Sequence, residues 1–313
     1  MTDSKHQSYK KQAQIFNDNS EEHARLTETW FDETTADFWL HNRMYEAVDC
    51  LKNYDSSNWL TIGDGRWGLD AIRIKKRGFK KVLPTDICET LLKESKQKGL
   101  IDDYKVENAE KLSFSDNSFD FVFCKESYHH FPRPYIALYE MIRVASKAVF
   151  LAEPNDEPIA QSVKTKEWIR FKWQVLLSKL KIKKDRPRHY RKPVQYQQGG
   201  YEESGNYKYS ISKHEAQKLM QGLDYPQMVY KEINTHYIEG CEFEPADESK
   251  SFIFKQIVDT IRKEDERCAK GWDVPNLLLL GLFKEEMNEE TRNTFREKGW
   301  AIIDLPRNPY LYK

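Results

Sequence analysis

Six residues, Gly63-Asp64-Gly65-Arg66-Trp67-Gly68, follow the short apolar run Asn58-Trp59-Leu60-Thr61-Ile62 and precede a helical stretch from Leu69 to Arg77. Glycines between a buried strand and a helix permit a tight turn and let the backbone approach a ligand with no side chain in the way. The segment matches the GxGxxG dinucleotide fingerprint letter for letter, although an ordinary strand-to-helix turn also uses glycine. Asp86 closes the next apolar run, Lys81 to Thr85. A carboxylate there can accept hydrogen bonds from both ribose hydroxyls of an adenosine ligand. An acid at that place is also favoured by the dipole of a following helix. The glycines and Asp86 serve a nicotinamide cofactor and other adenosine ligands equally.

A third block separates these ligands. Asn108-Ala109-Glu110 forms a short polar-Ala-acid turn, and Asp116-Asn117-Ser118-Phe119-Asp120 opens the apolar run that ends at Cys124. Lys125 to Pro134 and the helical Ala137 to Val144 follow. Over roughly residues 57–154 this pattern resembles the class I S-adenosylmethionine-dependent methyltransferases. It is most similar to the broad small-molecule group, some of whose members modify sugars of bacterial surface polysaccharides. The resemblance implies S-adenosylmethionine as cofactor, held by Gly63, Asp64, Gly65, Asp86, Ile87, Asn108, Ala109, Glu110 and Lys125. It implies methyl transfer to a small-molecule acceptor, such as a sugar or nucleotide-sugar hydroxyl. A hydroxyl acceptor needs a base. His129 and His130 lie in the loop that faces the methyl group in this fold, and an imidazole titrates near neutrality. Glu126 and Glu153 are the other candidate bases. One of the two histidines is also suited to capping or packing.

Two positions depart from the family pattern. Thr61 stands where an acid usually precedes the first glycine by two, and Trp67 replaces the third glycine, with Gly68 one place later. Asp64 or Glu126 is then expected to take over from the missing acid. The same departures keep a non-catalytic S-adenosylmethionine-binding module in view, and the literal GxGxxG keeps a nicotinamide-dependent oxidoreductase. Against the latter, a dehydrogenase has no reason to carry the 106–134 block.

These groups need a scaffold. Strand candidates at 58–62, 81–85, 104–107, 119–124, 148–151, 228–233 and 276–283 alternate with helical stretches at 69–77, 90–98, 136–144, 212–222 and 250–268. The alternation predicts an α/β fold: a Rossmann-like, seven-stranded, mostly parallel sheet with helices on both faces. A helix near 289–298 and an extended tail from Trp300 close the pattern. Residues 1–55 read as an N-terminal helical cap and 56–313 as the methyltransferase domain. Within the latter, 56–154 is the cofactor-binding half, 155–210 a basic and aromatic insert placed as an acceptor lid, and 211–313 the second half of the sheet.

Composition narrows the partners. The 313 residues carry 50 Lys plus Arg against 50 Asp plus Glu, so global charge gives no case for nucleic acid or a membrane surface. An RNA methyltransferase reading rests on the basic insert alone. There, Lys179 to Pro193 includes Arg186, Arg188 and Arg191, interleaved with Tyr190, Tyr196, Tyr201, Tyr207 and Tyr209. Such a run suits an anionic acceptor, though charge runs are more often solvated faces. The scattered cysteines contain no CxxC pair and no ligand-spaced metal set. With no signal-like N-terminus and no membrane-length apolar run, a cytoplasmic location is expected.

Overall fold

The computed structural model describes residues 9–11, 14, 29–156 and 210–311. The lid expected at 155–210, with its basic run, lies almost entirely outside the described residues. The described chain forms α1 (Ala36–Asn42), α2 (Glu46–Asp49), β1 (Asn58–Ile62), α3 (Leu69–Lys76), β2 (Lys81–Asp86), α4 (Thr90–Gln97) and β3 (Lys105–Val106). It continues with β4 (Phe119–Lys125), α5 (Pro134–Val144), β5 (Ala145–Pro154), α6 (Lys213–Gly222), β6 (Gln227–Ile233), α7 (Phe252–Ala269), β7 (Leu277–Phe283), α8 (Glu289–Glu297) and β8 (Ala301–Asp304).

One sheet runs in the order β3-β2-β1-β4-β5-β7-β6-β8. The first five of these strands pair in parallel, while β7 is antiparallel to β5 and β6, and β8 is antiparallel to β6. The fold is the expected mostly parallel α/β sheet with flanking helices, but it has eight strands rather than seven. The extra strand is the start of the expected tail: Ala301 to Asp304 pair with Gln227 to Tyr230. The contact closes an otherwise open edge of β6, which is the physical reason so short a segment becomes a strand.

Alternation along the strands sends side chains to two cores. Leu60, Ile62, Val122, Val149 and Leu151 face one core with Leu138 and Met141 of α5 and Met220 of α6. Trp59, Phe121, Phe123 and Phe150 face the other, with Tyr45 and Val48 of the N-terminal region, Ile74 of α3 and Phe295 of α8. Within the stretch read as helical at 1–55, α1 and α2 are separated by a 3-10 turn at Arg43–Tyr45. That tightening leaves the adjacent Met44 and Tyr45 both buried, with Tyr45 stacked on Phe123 at 5.3 Å. The start of α6 follows from sequence: Ser212 caps it and exchanges bonds with Glu215 in a capping box. Among the described residues no helix is long and apolar enough to cross a membrane.

Trp59 is fully buried and its ring meets Phe79, Phe121 and Phe150. Trp59→Ala is expected to lower stability by about 3–5 kcal/mol, read as a fall in the denaturant midpoint at unchanged slope; a loss below about 1 kcal/mol would show that this face is not the tightly packed core.

Candidate active site

The carboxyl ends of β1, β2 and β4 converge on a cavity of about 370 Å3, within the ~300–1,000 Å3 usual for small-molecule sites. The parallel register produces this convergence, because loops leaving adjacent parallel strands emerge on one edge. Gly63, Asp64, Gly65, Asp86, Ile87, Asn108, Ala109, Glu110, Lys125, Glu126, His129 and His130 all border it. Of the residues expected to hold the cofactor or act as base, Glu153 alone does not.

The glycine loop is shaped by close approaches. Gly63 has φ +74°, and a Cβ there would lie 2.4 Å from Cβ of Ser127. The Ser127 hydroxyl donates to the Gly63 carbonyl at 2.9 Å. A Cβ on Gly65 would lie 2.6 Å from Cγ of Asp86. The Gly65 N–H donates to one Asp86 oxygen at 3.0 Å and the Cys88 N–H to the other at 2.7 Å. Burial raises the Asp86 carboxyl above its usual range, partly offset by these N–H groups.

The departures at 61 and 67 have structural answers. Asp64 turns away toward α3 and accepts from the Asp70 N–H at 3.0 Å, the Ala71 N–H at 2.9 Å and the Thr61 hydroxyl at 2.7 Å. It therefore performs the N-capping task for α3, with Thr61 as its support. Burial and the neighbouring Asp70 push its carboxyl well above the ordinary value. Trp67 and Gly68 are both left-handed, each with φ +66°. Trp67 is held there by Ser95, whose hydroxyl donates to its carbonyl at 2.7 Å, and by Lys98 over its ring. Its side chain does not border the cavity.

At the far end, Asn108 accepts from the Glu110 N–H at 2.9 Å. Glu110 is buried and receives the Arg133 backbone N–H at 2.8 Å and its Nε at 2.6 Å. Lys125 ends β4 on the side of Phe121 and Phe123, which turns it toward α1. Its ammonium donates to Glu126 at 2.9 Å. His41 of α1 lies 3.3 Å from Glu126 through Nδ1 and 3.3 Å from Asp37 through Nε2. Burial would raise the Glu126 carboxyl, but Lys125 and His41 outweigh it and hold it well below the usual range. A carboxylate held so firmly ionised is a poor proton acceptor.

His129 and Glu153 form a pair. Nδ1 of His129 lies 2.5 Å from Glu153 Oε2, and Glu153 Oε1 accepts from the Ser127 and Tyr128 N–H groups at 3.0 Å each. Glu153 is 0% exposed and stands behind His129. It does not sit past the fifth strand, as expected from a strand ending at Leu151. β5 runs to Pro154, so Glu153 is a strand residue on the same face as Leu151. This placement removes Glu153 as a base in direct contact with an acceptor.

The sequence reading missed Trp30, His41, Arg66, Asp70 and Arg73, which border the same cavity. The Arg66 guanidinium lies 4.7 Å over the Trp30 ring. The available signals were weak: a His four residues after Asp37 on one helix face, and an Arg inside the glycine loop.

Residues 60–152 match the family model of the methyltransferase domain. This part of the chain is a methyltransferase domain. Its cofactor is S-adenosylmethionine, and the oxidoreductase alternative is not favoured. No curated protein matches the chain. Among solved structures, the YcgJ protein of Bacillus subtilis is similar at 18% identity, over 79% of this chain and 100% of its own, with a TM-score of 0.45. An S-adenosylmethionine-dependent methyltransferase of Thermotoga maritima is similar at 15% identity, over 85% and 98%, with a TM-score of 0.42. One from Aquifex aeolicus shares 22% identity over 36% and 68%, with a TM-score of 0.30.

The raised Asp64 carboxyl gives the methyltransferase domain a testable pH signature. The native state keeps a proton on Asp64 at pH values where the unfolded chain, with its ordinary value of 3.8, has released it. Native stability from this group therefore falls as pH rises from 3.8 toward the raised native value. Asp64→Asn cannot titrate, so its stability relative to wild type is expected to improve as pH rises from acid to neutral. Paired denaturation curves across that range check this; a difference independent of pH would contradict it.

Proposed function

We propose that the protein methylates a hydroxyl of a small-molecule acceptor, a sugar or nucleotide sugar, with His129 as general base. The single observation that carries this reading is the His129–Glu153 pair at the edge of the cavity. A carboxylate at Nδ1 keeps the proton of the neutral imidazole there and leaves Nε2 as the acceptor.

The cavity suits the cofactor in three respects: Gly63 and Gly65 form a cradle that a Cβ would fill, Asp86 presents a half-buried carboxylate, and Ile87 and Leu91 supply an apolar flank. When bound, S-adenosylmethionine supplies a methyl group on a sulfonium, a leaving group that needs no proton. In this reading Asp86 accepts from the ribose hydroxyls, Ile87 and the Asn108-Ala109-Glu110 turn border the adenine, and Gly63 and Gly65 lie against the backbone of the ligand. Because Asp64 is engaged by α3, Glu126 is the carboxylate left for the amino group, beside Lys125. His129 takes the acceptor proton as the acceptor oxygen gains the methyl group, and Glu153 stabilises the imidazolium that results. His130, whose ring lies 4.0 Å from that of His129, borders the acceptor side. Residues 1–55 serve as the cap and 155–210 as the lid, whose basic residues favour an anionic acceptor.

Release of S-adenosylhomocysteine over a panel of sugars and nucleotide sugars tests this. His129→Gln is expected to lower turnover about 10^2–10^4-fold while leaving S-adenosylhomocysteine affinity within about twofold. Unchanged turnover would remove His129 from the mechanism, and activity confined to acceptors without a hydroxyl would overturn the reading.

A further inference from the structure

Arg73 has no part in the reading above, yet it is built into the cavity wall. It projects from α3, is 4% exposed and borders the cavity beside Asp70 and Lys125. Its guanidinium lies 5.1 Å from the Phe38 ring and 5.5 Å from the Tyr45 ring. These rings fix its position without satisfying its donors. One terminal nitrogen makes a long bond, 3.4 Å, to the Trp30 carbonyl. Nε is buried with no hydrogen-bond partner, and Arg73 forms no ion pair among the described residues. The nearest acid on its own helix, Asp70, takes the Tyr45 hydroxyl instead.

A buried charged donor without an acceptor is costly, and folds rarely retain one without a use for it. Nε and one terminal nitrogen form the side-on edge of a guanidinium, which matches a carboxylate with two parallel hydrogen bonds. Lys125 and Arg66 border the same cavity, and Lys125 lies close enough to Arg73 for their charges to oppose each other. Acids also line the cavity, Asp70, Asp86 and Glu126 among them, and Lys125 is paired with Glu126. The other usual anion site, the N-terminus of α3, is closed because Asp64 already occupies the Asp70 and Ala71 N–H groups.

We propose that Arg73 receives the α-carboxylate of the methionine part of S-adenosylmethionine, through Nε and one terminal nitrogen. The proposal rests on the cofactor assignment and adds the residue that selects for the amino-acid end of the ligand. It also accounts for a glycine loop without an acid at position 61: recognition of the zwitterion passes to side chains outside the loop, with Glu126 beside the ammonium and Arg73 beside the carboxylate.

The test compares two ligands on the full chain by calorimetry. S-adenosylhomocysteine has the amino-acid end; 5′-methylthioadenosine has the same adenosine and sulfur but lacks it. Arg73→Met is expected to weaken S-adenosylhomocysteine about ten- to a hundredfold and to leave 5′-methylthioadenosine within about twofold. Arg73→Lys keeps the charge but loses the fork, so it is expected to fall between. Unchanged 5′-methylthioadenosine binding also reports that the variant is folded. Equal weakening of both ligands would assign Arg73 to holding Phe38 and Tyr45, and unchanged S-adenosylhomocysteine affinity would overturn the proposal outright. Wild-type protein that binds neither ligand would remove the cofactor assignment itself, and this inference with it.

Discussion

The backbone of Gly65 lies against the carboxylate of Asp86 so closely that a Cβ would sit 2.6 Å from its Cγ. This contact fixes the distance between the loop after β1 and the end of β2. It also orients the Asp86 carboxylate, since each oxygen takes one backbone N–H and keeps a lone pair for other donors. The parallel pairing of β1 with β2 brings the two together, with Ile62 opposite Thr85 and Asp86 next in line. The cavity forms above that junction, and the remaining side chains of the site are arranged around it.

The acidic residues near the cavity divide by what surrounds them. Asp64 faces the start of α3 and is engaged by backbone N–H groups. Glu110 is held by Arg133, and Glu153 is enclosed behind His129. Glu126 is left on the wall as an anion flanked by Lys125 and His41. Four carboxylates that look alike in sequence thus have four environments, and those environments assign the chemistry open to each. The clasp from His41 through Glu126 to Lys125 also ties α1 to the loop after β4 by charge.

Much of this was legible in the sequence. β1 and β4 announce themselves as apolar runs, and the glycine loop, Asp86 and the Asn108-Ala109-Glu110 turn lie where strand ends predict. These are local patterns bound to elements with strong periodicity. What escaped depended on tertiary contacts. β8 is four residues long and becomes a strand because β6 offers it an edge, some seventy residues earlier in the chain. Trp30, His41 and Arg73 meet at the cavity through contacts between segments distant in sequence, Arg66 with Trp30, Arg73 with Phe38 and His41 with Glu126, which no periodicity encodes. The misplacement of Glu153 came from ending β5 too early: three more strand residues move that carboxylate from a loop to the interior. Asp64 was legible as an acid in the loop, but its direction was not, since only the close packing of Thr61 and α3 turns it inward.

The central claim is that this cavity takes an adenosyl ligand whose ribose is read by Asp86. Thermal unfolding of wild type and Asp86→Ala, each with S-adenosylhomocysteine and with NAD, tests it most directly. At a hundred times its dissociation constant a ligand stabilises the folded state by about 2.7 kcal/mol. The account predicts a rise in the unfolding temperature of wild type with S-adenosylhomocysteine, little or none with NAD, and loss of the rise in Asp86→Ala. A rise with NAD alone, or an equal rise with S-adenosylhomocysteine in the Asp86→Ala variant, would contradict it.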